Sequence, residues 1–230
     1  NIAKIRRGYI PYPLKLFLLT KEDIEKNNLE INNLYPAFSS PIYFKNIILE
    51  SSDKYLLIFD NIQELENTNL LKWFLNKINE LQISNKNIPL KYREQSQIII
   101  PRTIYERHIV YLNKGLSIID HVELLIKEDP EIICYILNSS LYILLKEIYG
   151  RVGLGLGTLK FEVIDAKNLP FLELNYKFKK GLFLFNSFFK REILSVFQEF
   201  GLDSDKPIRD QEPNPLPDRK ELDDIVFDAI

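Results

Sequence analysis

DPEIICYILNSSLYILLKEIYGRVGLGLGTLKFEVI, residues 129–164, is the stretch from which the architecture of the chain can be worked out. Asp129 is suited to cap a helix and Pro130 to occupy its first turn, and apolar residues then recur at Ile133, Ile136, Leu137, Leu141, Leu144, Leu145 and Ile148. This spacing predicts a buried core helix running to Gly150. Clustered glycines follow, then a β-prone run at 158–164. A dinucleotide fingerprint needs strand, glycine loop and helix in that order, so that phosphate meets a helix N-terminus. The order here is helix, glycine loop, strand, which argues against nucleotide binding. Two readings of the loop stay open: a flexible connection, or a segment whose glycines and Arg151 let it lie against a phosphate backbone.

On the N-terminal side, Thr20 with Asp23 three residues on predicts a capped short helix to about residue 28. The runs 42–49 and 55–59 are β-rich and separated by Ser51-Ser52-Asp53, which predicts a hairpin. Leu70, Leu71, Phe74, Leu75, Ile78 and Leu81 repeat at helical spacing behind Asn67-Thr68, an amphipathic helix with one face for a sheet. Segments 98–112 and 116–126 read as further strands, turned at Gly115. On the C-terminal side a long helix is expected over about 181–200, burying Leu182, Phe185, Phe189, Ile193 and Phe197 and ending at Gly201. The whole is an α+β fold, a mixed β-sheet domain with packed amphipathic helices over residues 1–202. A proline-rich linker at 203–217 and a final helix at 218–230, capped by Asp218 and carrying Leu222, Ile225 and Val226, complete it.

Composition narrows the class. With 46% hydrophobic residues and 30 basic against 32 acidic side chains, the chain is neither disordered nor a disulfide scaffold. Its one thiol, Cys134, fits a reducing compartment, so the cytoplasm is the expected location. No signal peptide and no membrane span are predicted. The absence of methionine and a helix reaching the last residue point to a fragment of a longer protein.

Charge is unevenly spread. Residues 203–230 carry nine acids and four bases, so a net charge of −2 leaves +3 for the remainder. Residues 1–20 hold Lys4, Arg6, Arg7 and Lys15 with no acid, and residues 89–115 hold Lys91, Arg93, Arg102, Arg107 and Lys114 against Glu94 and Glu106. Such local excess is compatible with a polyanion, or with an ordinary solvated face.

Signatures of catalysis are missing. His108, His121 and Cys134 do not make a metal-ligand spacing, no Gly-x-Ser-x-Gly elbow is present, and Cys134 falls on an apolar helix face as an inert core residue. The acidic pairs Glu22-Asp23, Glu128-Asp129 and Asp223-Asp224 lie at helix starts or in the tail, where the helix dipole or solvent accounts for them.

Several motifs, taken in order, carry a resemblance: Ile5-Arg6-Arg7-Gly8, Phe17-Leu18-Leu19, Ile100-Pro101-Arg102, Leu137-Asn138-Ser139-Ser140-Leu141, Tyr149-Gly150-Arg151, Gly155-Leu156-Gly157-Thr158-Leu159-Lys160-Phe161 and Asn168-Leu169-Pro170. Together they resemble the C-terminal target-recognition region of adenine-specific DNA methyltransferases with a TaqI-like specificity domain. The tail from Asp203, with Pro215-Leu216-Pro217-Asp218, is similar to the segment that follows that region in some members. The family's Asn-Pro-Pro-Tyr-type tetrapeptide and its S-adenosylmethionine motif do not occur here. The resemblance therefore implies a non-catalytic recognition module that binds no cofactor itself. A separate N-terminal catalytic domain would hold S-adenosylmethionine and methylate a flipped adenine, while this module grips double-stranded DNA. The candidate DNA contacts are Arg6, Arg7, Lys15, Arg102, Arg107, Lys114, Arg151 and Lys160, with Arg102 and Arg151 foremost. Asn138, Ser139 and Ser140 are expected to hydrogen-bond in helix packing or at a sheet edge. Two alternatives from other classes remain, a module that docks a partner subunit through an aromatic surface and the tail helix, and a self-contained small-molecule enzyme.

Overall fold

In a computed structural model the described residues are 3–84, 89–152, 157–171 and 186–229. They form the mixed α+β fold that the pattern predicts, built on three sheets. The first has five strands in the order β1 (Ala3–Arg7), β10 (Val122–Ile126), β6 (Ile98–Ile100), β8 (Tyr111–Asn113) and β4 (Ile48–Leu49). All its pairings are antiparallel except β4 with β8. The second runs β2 (Leu18–Thr20), β5 (Lys54–Leu57), β3 (Leu34–Phe38), β9 (Ser117–Ile118). A small third sheet joins β11 (Arg151–Val152), β12 (Leu159–Lys160) and β7 (Thr103–Ile104).

Each large sheet has its own core. Against the second sheet lie α1 (Leu14–Phe17), α2 (Lys21–Lys26) and α3 (Asn69–Glu80). In α3, Leu70, Phe74 and Ile78 fall at helical spacing and are buried, and Thr68 Oγ1 accepts from Leu71 N at 3.0 Å to cap its start. The Thr20–Asp23 capping box closes the N-terminus of α2 as the spacing predicts. The larger core packs the first sheet against α4 (Pro130–Leu137), α5 (Ser140–Tyr149) and α9 (Pro217–Phe227), with α6 (Val163–Asn168), α7 (Asn186–Lys190) and α8 (Val196–Glu199) around them.

Five expectations need correction. The helix predicted from residue 130 to Gly150 is two helices bent by 71° at Asn138-Ser139. There Asn138 N and Ser139 N bond back to Tyr135 O and Ile136 O, while Asn138 Oδ1 accepts from Val110 N at 2.9 Å and Nδ2 donates to Val110 O at 2.8 Å, so the side chain ties the bend to the segment that leads into β8. Asp129 occupies the N-cap position of α4 ahead of Pro130, as expected, but sits in the left-handed region, φ 47°, and makes no side-chain cap bond. The presumed hairpin of 42–49 and 55–59 does not form, because β4 pairs with β8 and β5 with β2 and β3, in different sheets. The strand 158–164 shortens to β12 and gives way to α6.

The helix over 181–200 is interrupted in its described part: Ile193 N donates to Lys45 O at 2.8 Å and Glu192 bridges Asn46 between α7 and α8. Leu182 and Phe185 lie outside the described residues. Among the described residues no single helix is long and apolar enough to cross a membrane. In the tail, Leu216 N returns to Glu199 O, and α9 starts at Pro217 with Asp218 in its first turn paired to Arg191. Leu222 and Val226 of α9 are buried, and Asp223 Oδ1 accepts from Ser140 N at 2.7 Å, so the tail helix caps α5.

Candidate nucleic-acid interface

Five of the eight candidate cations lie on or around the junction where the chain passes between its three sheets. β1 ends at Arg6-Arg7, and Gly8 takes the chain across: its N donates to His121 O at 2.8 Å, and a Cβ there would stand 2.5 Å from Ile118 O. Glycine is therefore required by close backbone approach. Tyr9 then bridges Ile119 and enters the second core. In the opposite sense, β9 leaves the second sheet and reaches β10 of the first through Ile119-Asp120-His121, with Asp120 in the left-handed region, φ 56°. Two strand-to-strand passages thus run side by side, and the charged groups collect where they meet.

Arg6 stands opposite Glu123 in register and is ion-paired to it. Arg7 Nε donates to Asp120 Oδ1 at 2.6 Å. Arg102, which follows β6 and Pro101, donates to the same Asp120 oxygen and also grips Glu162 in a bidentate pair, Nε to Oε2 at 2.9 Å. That bond raises the Arg102 guanidinium above its usual value and holds the Glu162 carboxyl below the ordinary range. Phe161 N donates to Arg102 O at 2.9 Å, tying the third sheet to the junction. Buried His121 accepts from Arg102 N at Nδ1 (3.2 Å); burial lowers it to about 4, so it is neutral here at pH 7.

The third sheet brings in two more cations. Arg151 on β11 lies opposite Lys160 on β12 and reaches Asp165 Oδ1 at 3.0 Å, its own side chain 61% exposed. Lys160 is exposed and makes no ion pair with a described residue. Gly150 permits the approach of this strand, since a Cβ there would meet Leu159 Cδ1 and Lys146 O, each at 2.7 Å. Arg93, passed over as a contact in the sequence, belongs to the same place. Its guanidinium lies 4.9 Å from the Tyr9 ring centroid and donates to Arg7 O at 3.5 Å, while Arg6 donates to Glu94 O. The alternation Lys91-Tyr92-Arg93 was the available signal.

The remaining three candidates stand apart. Lys15 is exposed on α1, Lys114 pairs with Glu131 at 2.8 Å, and Arg107 lines a groove of about 390 Å³ with Tyr105, Lys45 and Glu192. A second groove of about 490 Å³ between α2 and α3 is lined by Lys26, Lys72, Trp73 and Lys77. Asn138, read as a packing residue, holds the α4–α5 bend to the sheet as described. Of the glycine stretch, Gly150 follows the last residue of α5 and leads into β11 and Gly157 precedes β12, while residues 153–156 lie outside the described residues.

No family model and no curated protein matches the chain. A solved structure does. The fold is similar to part of the type IIG restriction endonuclease BpuSI. The likeness extends over 100% of this chain with a TM-score of 0.59 at 16% identity, and the chain spans 31% of the length of that protein.

Proposed function

We propose that this chain is the DNA target-recognition module of a restriction-modification enzyme of the adenine-N6 methyltransferase type. The reading is carried by one observation: motifs distant in sequence, Arg6-Arg7-Gly8, Pro101-Arg102, Gly150-Arg151 and Leu159-Lys160, come together around one three-sheet junction. A full-length fold likeness to part of a restriction endonuclease supports it.

In this reading the junction holds phosphates. Asp120, 46% exposed, and Glu162 orient the guanidinium groups of Arg7 and Arg102 without burying them. A phosphate oxygen meets N–H groups already pre-aligned, so little side-chain entropy is lost on contact. Arg151 and Lys160 extend the contact along the third sheet, and such contacts set register while a smaller set of side chains reads base edges. Methyl transfer from S-adenosylmethionine belongs to the catalytic domain of the same enzyme, and this chain's task is to hold the duplex around the flipped adenine.

Fluorescence anisotropy with mixed-sequence duplexes tests the reading. Association should weaken steeply with salt, by about 0.9 in log–log slope per phosphate contact. No salt-sensitive association at low ionic strength would refute it. A docking module for a partner subunit is favoured by a different observation, the exposure of Leu144, Ile148 and Val152 beside the bend-linked helices. Salt-independent self-association in sedimentation, without DNA binding, is the outcome that would select it.

A further inference from the structure

The loop that follows the arginine strand carries an apolar pair that the phosphate reading does not use. From Tyr9 to Tyr12 the burial alternates: Tyr9 and Pro11 are buried, and Ile10 and Tyr12 project outward with 56% and 84% of their surface exposed. The loop is pinned at both ends. Tyr9 N donates to Ile118 O at 2.7 Å and Tyr9 O accepts from Asp120 N at 2.8 Å, while beyond the loop Leu16 and Phe17 are fully buried. Pro11 and Pro13 each fix one φ angle. Ile10 and Tyr12 are therefore presented to solvent from a backbone with little freedom left to lose.

Their neighbours are cations. Arg7 lies three residues before Ile10, and exposed Arg93 stacks on the Tyr9 ring at the base of the loop. A rigid apolar projection flanked by phosphate-binding groups has the make-up of a wedge that enters a base step, where unstacking is offset by ring contact and by the backbone contacts alongside. A protein partner seated on the same pair would have to desolvate Arg7 and Arg93 at the base of the loop.

We propose that Ile10 and Tyr12 form a base-stacking wedge, inserted into the duplex beside the phosphates held by Arg7 and Arg93. The inference rests on the DNA-binding reading and adds the residues that deform the duplex.

The test uses the 230-residue chain and duplexes with 2-aminopurine at successive positions. The wild type should raise the probe's fluorescence at one step. Tyr12→Ala should abolish that rise and weaken binding by roughly 10- to 100-fold with the salt slope unchanged, and Tyr12→Phe should restore both. Arg7→Gln, in contrast, should reduce the slope by about one. If the wild type binds with steep salt dependence but Tyr12→Ala binds equally well, or no step is unstacked, the wedge is refuted while the DNA reading stands. If the wild type shows no salt-sensitive duplex binding, the DNA reading falls and takes the wedge with it. If Tyr12→Ala leaves DNA affinity intact but abolishes self-association, the loop is a protein contact and the wedge is refuted.

Discussion

Two arginine–carboxylate clusters in this molecule use the same chemistry in opposite surroundings. At the three-sheet junction Arg7, Arg102, Asp120 and Glu162 have side chains between 20% and 46% exposed. Under the tail helix, Arg219 and Glu199 are 1% and 2% exposed. Glu199 there accepts from Arg219 Nε at 3.1 Å, Arg191 Nη1 at 2.6 Å and Leu194 N at 2.9 Å. Arg219 also donates to Asn138 O and lies 4.8 Å from the Phe188 ring centroid. The Arg219–Glu199 pair at its centre is closed to solvent, with Arg191 covering it from the rim at 26% exposure, so its work is to fasten α9 and α8 to the α4–α5 bend. The junction cluster keeps guanidinium edges in water, where a phosphate can reach them. Burial, and not residue type, separates the structural network from the candidate binding one.

The largest effect should come from the buried cluster. Arg219→Ala removes one of the two guanidinium partners of Glu199 and the side chain that ties α9 to Asn138 O, and should lower unfolding free energy by about 3 kcal/mol, read by urea denaturation. A loss under about 1 kcal/mol would break the contrast with the junction. Nearby, Lys146 is buried with no hydrogen-bond partner for Nζ among the described residues, and burial together with Arg219 lowers it to about 7 from 10.5. Between those values the unfolded chain binds the proton more tightly, so stability falls as pH drops from about 10.5 to about 7 and levels off below. Lys146→Met should therefore raise the melting temperature at pH 7 and gain progressively less toward pH 10; an equal gain at both would contradict the burial argument.

Gly8→Ala tests how the junction is built, since its Cβ would press on Ile118 O. The expected cost is roughly 1–3 kcal/mol in thermal unfolding, together with weaker DNA binding as the arginine geometry shifts. The smallest stability effect belongs to Arg102→Ala, under about 1 kcal/mol because its partners are solvated. Its signature would be in binding, a salt slope reduced by about one. A stability loss as large as that of Arg219→Ala would make the junction a second structural network.

What could be read beforehand follows from the range of the interactions. The capping box at Thr20–Asp23, the α3 stripe and the turn at Gly115 depend on residues within a few positions of each other, and they appear where the spacing puts them. The break at Asn138 could not be read, because the apolar period continues through it from Leu137 to Leu141 and the side chain's partner is Val110, 28 residues away. The failed hairpin has the same cause: β propensity marks 48–49 and 54–57 as strands without saying which edges they meet. In the candidate site, Arg6, Arg7, Arg102, Arg151 and Lys160 stand out by motif, whereas Arg93 matters only because Tyr9 is folded beneath it.

By itself the amino-acid order determined the secondary elements held by local bonds, the apolar faces that make two cores, and the pool of cations from which an interface could be drawn. Only the tertiary structure decided which cations share a carboxylate, which are closed from water and which loop projects beside them. Those outcomes rest on pairs such as Arg7 with Asp120 and Arg102 with Glu162, separated by 113 and 60 positions, and a contact at that separation is fixed by sheet order and chain crossing rather than by any local preference.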